Sequence, residues 1–211
     1  QSFLQAIKKC PRADYYAFCD QDDIWVEGKL ETAIKRIGKT VIPVLWCSDY
    51  QVVNSKLDVI VPSALSKPEL NDIKAIFYNN VPGCTMVFNY ALMQEIRKMD
   101  IVKIRMHDIM AINVALITGK VYFEHKPFVL YRQHGDNVLG YNHKKIKFGK
   151  WFNDKVKLIR DKEDYSTAEY ARAILKAFEN KMDSQKRQEY ELISMMDNSV
   201  LKRIKILRKP F

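Results

Sequence analysis

The sequence predicts an α/β domain with a mainly parallel sheet flanked by helices, followed by a C-terminal helical appendage. Short apolar runs alternate with segments of helical periodicity as far as about residue 140. One of these runs, Tyr15-Tyr16-Ala17-Phe18-Cys19, contains no charged residue, the pattern of a strand buried on both faces. From about Lys144 onward the pattern is helical throughout. The expected division is an α/β domain at residues 1–140 and a basic helical region at residues 141–211.

Taken in order, Phe3, Leu4 and Ile7 make the apolar face of a first helix, which Cys10-Pro11 ends. The strand Tyr15–Cys19 runs directly into Asp20-Gln21-Asp22-Asp23. These carboxylates are therefore expected at the carboxyl end of a central strand, the edge where open α/β sheets bind ligands. A helix follows over about Val26–Ile37, with Leu30, Ala33, Ile34 and Ile37 on its apolar side. Val41–Cys47 reads as a strand, and Tyr50–Ile60 as an extended pair turning at Asn54-Ser55. A helix around Asp72–Tyr78, the loop Val81-Pro82-Gly83 and a strand Thr85–Phe88 come next. Two helices, about Tyr90–Lys98 and His107–Thr118, lead to Gly119, read as a C-terminal stop. Strands near Val121–Glu124 and Phe128–Arg132 end in the polar loop His134-Gly135-Asp136-Asn137.

A composition of 47% hydrophobic and 28% charged residues excludes a disordered chain. No run approaches the roughly 18 apolar residues that a membrane-spanning helix needs. The cysteines Cys10, Cys19, Cys47 and Cys84 lack the spacing of a zinc site or disulfide framework, so they are expected reduced, in a cytoplasmic setting. The net charge of +10 is uneven: residues 141–211 hold 18 Lys and Arg against 10 Asp and Glu, residues 1–140 only 17 against 15. Within Val200–Phe211, Val200, Leu201, Ile204, Leu207 and Phe211 fall at helical spacing and basic residues fill the remaining face. That pattern suits either a helix lying in an anionic membrane surface or a helix packed on its own domain. No nucleic-acid motif accompanies the basic charge, and no nucleic acid is expected as a partner.

Three carboxylates within Asp20–Asp23 repel one another unless they are solvated or share a cation, and hard cations such as Mg²⁺ or Mn²⁺ take oxygen ligands. A solvated loop that starts the next helix is the competing reading. Asp108 opens a helix, where the dipole stabilises its anion; it can act as a general base or merely satisfy the first turn. His134 and Arg132 could stabilise charge on a phosphate leaving group, or be ordinary loop residues. Gly83 permits either a close backbone approach or a tight turn. Trp25 and Trp46 could stack on a sugar, although aromatic residues beside strands more often belong to a core.

The stretch Tyr16–Trp25 followed by Lys29-Leu30 resembles the Asp-x-Asp region of family 2 glycosyltransferases, in particular the rhamnosyltransferase-like subgroup. Gly83–Asn89, His107-Asp108 and Tyr131–Gly140 match the same subgroup in the same order. The resemblance implies a GT-A fold and a metal-assisted, inverting transfer. It places Asp22 on the metal under the donor diphosphate and Asp20 near the ribose or the metal's waters. Asp108 would be the base, and His134 would lie by the diphosphate and metal. Gly83 and Arg132 would belong to the donor site. The implied donor is a nucleotide sugar (dTDP-rhamnose is one candidate), and the implied acceptor a cell-surface polysaccharide or its lipid-linked precursor. The implied location is the cytoplasm, peripheral to the inner membrane face. The family's opening strand, Pro-x-Tyr-Asn-like loop and Asp-Asp-Gly-Ser-like segment have no match, so the base-binding segment is expected to be missing and the chain to bind nucleotide weakly or not at all. The alternative is a non-catalytic carbohydrate- or partner-binding module derived from such an enzyme.

Overall fold

A computed structural model describes residues 2–65, 68, 70–77, 81–100, 106–133 and 165–196. The chain divides into two compact units, one of residues 1–98 and 106–141, the other of residues 99–105 and 142–211.

The first unit carries helices α1 (Ser2–Lys9), α2 (Lys29–Ile37), α3 (Asp72–Phe77), α4 (Tyr90–Ile96) and α5 (His107–Thr118). Its strands are β1 (Tyr15–Ala17), β2 (Ile24–Trp25), β3 (Val44–Val53), β4 (Val59–Val61), β5 (Met86–Asn89) and β6 (Lys120–Arg132). They form one sheet in the order β1-β5-β3-β6-β2, with β4 paired to β3. The expected mainly parallel sheet is corrected to a mixed one. Only β3 and β6 run parallel, while β1–β5, β3–β5, β3–β4 and β2–β6 are antiparallel. The physical reason lies in the connections. The turn that follows Val53 returns the chain as a hairpin onto β3, whereas the other pairs are joined through long connections, which allow either direction.

The strands buried on both faces are β3, where Val44 through Tyr50 are all buried, and β5, buried from Met86 to Asn89. By contrast β1 is half-buried and lies at the end of the strand order, so Tyr15–Cys19 is not a central strand. The sequence run Val41–Ile60 becomes one long strand, a turn and a short β4. Asn54 Oδ1 closes that turn by accepting from the amides of Lys56 and Asp58. Similarly, the two strands expected after Gly119 join into a single β6, whose register against β3 shifts around Asp49.

Two buried polar side chains fix this frame. Asn89 Oδ1 accepts from Leu92 N, capping α4, and from Val44 N, while its Nδ2 donates to Ile42 O. The Asp49 carboxylate accepts from the amides of Tyr50, Ala64 and Leu65 and from the Ser63 hydroxyl, holding the chain that leaves β4. Gly119 does end α5, but its φ of −160° is extended backbone rather than a left-handed cap. Its smallness is required because a Cβ there would stand 1.9 Å from the Pro43 carbonyl oxygen, which accepts from Lys120 N.

The second unit contains α6 (Tyr165–Phe178) and α7 (Ser184–Ser194). Ala168, Ala171, Ile174 and Phe178 recur at helical spacing and are buried, as are Tyr190 and Ile193. The Asp183 side chain caps α7 by accepting from Lys186 N, and Arg172 Nη1 donates to Ser194 O. No described helix is long and apolar enough to cross a membrane. Val200–Phe211, read as a candidate membrane-surface helix, lies outside the described residues.

Candidate functional site

Topology builds the site. Strands β1 and β2 are nearly adjacent in sequence yet stand at opposite ends of the strand order. The segment Phe18–Asp23 that joins them must therefore traverse the ends of the strands between. It carries Asp20, Asp22 and Asp23 past the start of β5 and the end of β6. At the β6 end, Asp23 Oδ1 accepts from the Arg132 backbone amide at 3.1 Å. At the β5 end stands Cys84, in the single helical turn Gly83–Thr85.

The carboxylates are crowded. Burial raises the Asp20 carboxyl above its ordinary range; Asp23, Asp22 and Asp108 push the same way, and His107 opposes them. Asp20 therefore lies within electrostatic reach of the first turn of α5. Burial also raises Asp23, opposed by the Cys84 thiol and the Arg132 amide. Asp23 Oδ2 is shut from solvent and receives no hydrogen bond. Tyr131, half-buried at the end of β6, is pushed up to about 12 by burial, then by Asp23, Cys84, Asp20 and Asp22.

The first turn of α5 is held from the other side. His107 packs between Phe3 and Phe18, ring centroids 4.3 and 4.6 Å away. Burial lowers its pKa, and Asp20 opposes that shift. A Cβ on Gly83 would meet His107 Nε2 at 2.5 Å, so glycine lets the imidazole lie against the turn. Asp108 Oδ1 accepts from Ile109 N at 2.7 Å, the first-turn contact that its position suggests.

Lys29 is the buried charged residue beside the site that sequence reasoning passed over. The apolar side expected for α2 held Leu30 and Ile34, but these are exposed, and the buried face is Lys29, Ala33 and Ile37. Gly28, at φ 82°, turns the chain out of β2 in a conformation that a side chain resists and sets this rotation. Lys29 is only 1% exposed. Its Nζ donates to the Cys84 carbonyl and sits 3.9 Å from the centre of the Trp25 ring. Burial lowers it to about 8, against the pull of Cys84, Cys19, Asp23 and Asp20. Trp25 is thus the neighbour of a cation, while Trp46 is wholly buried beside Phe128 and belongs to the core.

Among the described residues, one group has the spacing of a cation site: single ligand atoms of Asp20, Asp23 and Cys84 lie within 4.8 Å of one another. Together with the orphaned Asp23 Oδ2, this donor set fits a divalent ion. Asp22, which the resemblance places on the metal, is not in that group, although its charge reaches both Asp20 and Asp23. His134 lies outside the described residues. Arg132 is brought to the site by its backbone amide.

No family model matches the chain. Over 139 residues, 61% of its length, it is 31% identical to the dTDP-rhamnosyl transferase RfbG of Shigella flexneri. The match takes in 46% of that protein, so the chain spans about half the length of the curated relative. This similarity supports a glycosyltransferase relationship.

Proposed function

We propose that this chain serves the transfer of a sugar from a nucleotide diphosphate donor to a glycan or lipid-linked acceptor, with inversion at the anomeric carbon. The observation that carries the reading is the approach of Asp20 and Asp23 ligand atoms to within 4.8 Å of one another and of Cys84, with His107 and Asp108 within electrostatic reach of Asp20. Asp20 and Asp23, with Asp22 beside them, are assigned to a Mg²⁺ or Mn²⁺ ion that, when bound, neutralises the donor diphosphate. Asp108 is assigned the proton of the acceptor hydroxyl. Its place at a helix N-terminus favours the anion, so the proton moves late, once the hydroxyl has become acidic. The Arg132 guanidinium and, by resemblance, His134 are assigned to the leaving diphosphate, and Gly83 to the close approach beside it. A deoxyhexose on dTDP is the first donor to try, because the relative's name specifies dTDP-rhamnose chemistry. A peripheral cytoplasmic location belongs to the same proposal.

The test is release of nucleoside diphosphate from dTDP-rhamnose and from UDP-sugars, with a glycan acceptor, in Mn²⁺ and in EDTA. The reading predicts release that depends on both the cation and the acceptor. Release undiminished in EDTA would remove the cation from the scheme. Glycan binding without any release would favour a carbohydrate-binding module.

A further inference from the structure

We propose that Cys84 is a third protein ligand of the cation site, completing an O,O,S donor set with Asp20 and Asp23 that selects softer divalent ions over Mg²⁺. The proposal deepens the functional reading, taking the cation site as given, but its chemistry can be measured without any sugar transfer.

Geometry carries the argument. The Cys84 sulfur and one oxygen of each carboxylate fall within 4.8 Å of one another, close enough for small side-chain rotations to bring all three onto one ion. The Cys84 side chain is fully buried. It stands near enough to Asp23 for each group to shift the other. Asp23 Oδ2 is a buried acceptor with nothing to accept. A buried thiol whose neighbour is the Asp23 carboxylate, beside a carboxylate oxygen with no hydrogen bond, is an arrangement that a cation would satisfy. The turn that holds Cys84 is itself pinned, because Lys29 Nζ grips the Cys84 carbonyl and so fixes the backbone that aims the sulfur.

Chemistry sets the selectivity. On coordination the sulfur–metal bond replaces the S–H bond, and the proton leaves to solvent. Hard Mg²⁺ gains little from a thiolate and would be held by the carboxylates alone, whereas Mn²⁺, Zn²⁺ and Cd²⁺ gain increasingly from sulfur. The other thiols lack this setting: Cys47 is buried beside the Tyr122 carbonyl, and Cys10 and Cys19 are in no such group with two carboxylates.

The test is titration of the full 211-residue chain with Cd²⁺, reading the thiolate-to-cadmium charge-transfer absorption in the ultraviolet. The expected result is a band that saturates near one equivalent and persists in Cys19→Ser and Cys10→Ser. Cys84→Ser should lose the band and bind Cd²⁺ at least about tenfold more weakly, with Mg²⁺ affinity changed less than about twofold. Asp23→Asn, which leaves the thiol in place, should weaken Cd²⁺ binding and shift the band to higher concentration. That second variant decides the matter should Cys84→Ser fail to fold, as judged by circular dichroism. A band unchanged in Cys84→Ser, no band in the unmodified chain, or Asp23→Asn binding Cd²⁺ normally would each overturn the proposal. Because no nucleotide is present, a site that binds Cd²⁺ through Cys84 but never supports sugar transfer would refute the functional reading alone.

Discussion

Replacing Asp108 by asparagine should lower sugar transfer by about 10²- to 10⁴-fold, the usual worth of a general base, while donor affinity stays near that of the unmodified protein. The expectation follows from what asparagine keeps and loses. Its Oδ1 can still accept from Ile109 N, so the first turn of α5 keeps its contact. What disappears is a carboxylate within electrostatic reach of Asp20, and with it the proton acceptor. An interaction made chiefly in the transition state is thereby lost, which lowers turnover without weakening ground-state binding. Asp22→Ala should behave differently, weakening cation-dependent donor binding as well as slowing the chemistry. Steady-state turnover and donor binding measured side by side on the two variants check the contrast. Near-normal turnover in Asp108→Asn would leave Asp108 as a first-turn residue and make the adjacent His107 imidazole the next base to test.

Lys29 should make the protein gain stability as pH rises, and Lys29→Met should remove that gain. Burial lowers the folded-state pKa to about 8 from the ordinary lysine value of 10.5. Below pH 8 the ammonium is charged in both folded and unfolded chains, and the cost of burying it is fully present. Between pH 8 and 10.5 the unfolded chain binds more protons than the folded one, so unfolding becomes steadily harder; above that window both forms are neutral. The change amounts to about 3 kcal/mol in favour of the unmodified protein relative to Lys29→Met. Burial raises Cys47 and Tyr131, each to about 12, which works in the opposite direction at high pH. Both groups are present in both proteins and cancel in the difference. Urea unfolding followed by tryptophan fluorescence, which reports on Trp25 beside Lys29, gives the comparison at pH 7, 8, 9 and 10. A difference that stays flat over that range would mean that Lys29 is not charged at a cost.

Much of this architecture was legible in local sequence. Helix α5 spans His107–Thr118, the segment its periodicity suggested, and Met86–Asn89 and Lys29–Ile37 lie within a residue or a few of their expected places. Pairing direction was not legible, because an unbroken apolar run records burial on two faces and says nothing about which neighbour runs which way. Both β3 and β5, with neighbours on each side, fit that signature, and the run at β1 imitated it. Lys29 was missed for a related reason. A lysine among Leu30, Ala33 and Ile34 reads as the polar side of a helix. Its burial depends on the Cys84 carbonyl 55 residues away, and on the rotation that Gly28 imposes. Cys84 likewise offered only an apolar neighbourhood in sequence. Its approach to Asp20 and Asp23 arises from the β1–β5 pairing and from the traverse of Phe18–Asp23 between strands at opposite ends of the sheet order.

The central claim is that the acidic segment holds a cation to which a donor diphosphate binds. It is tested most directly by ligand-observed NMR of dTDP and UDP with the chain, in the presence and absence of Mg²⁺. The method registers weak as well as tight binding. The account predicts nucleotide binding that requires the cation and is lost in the double variant Asp20→Asn, Asp23→Asn. Nucleotide binding that is the same with Mg²⁺ and with EDTA, or that survives in the double variant, would contradict it.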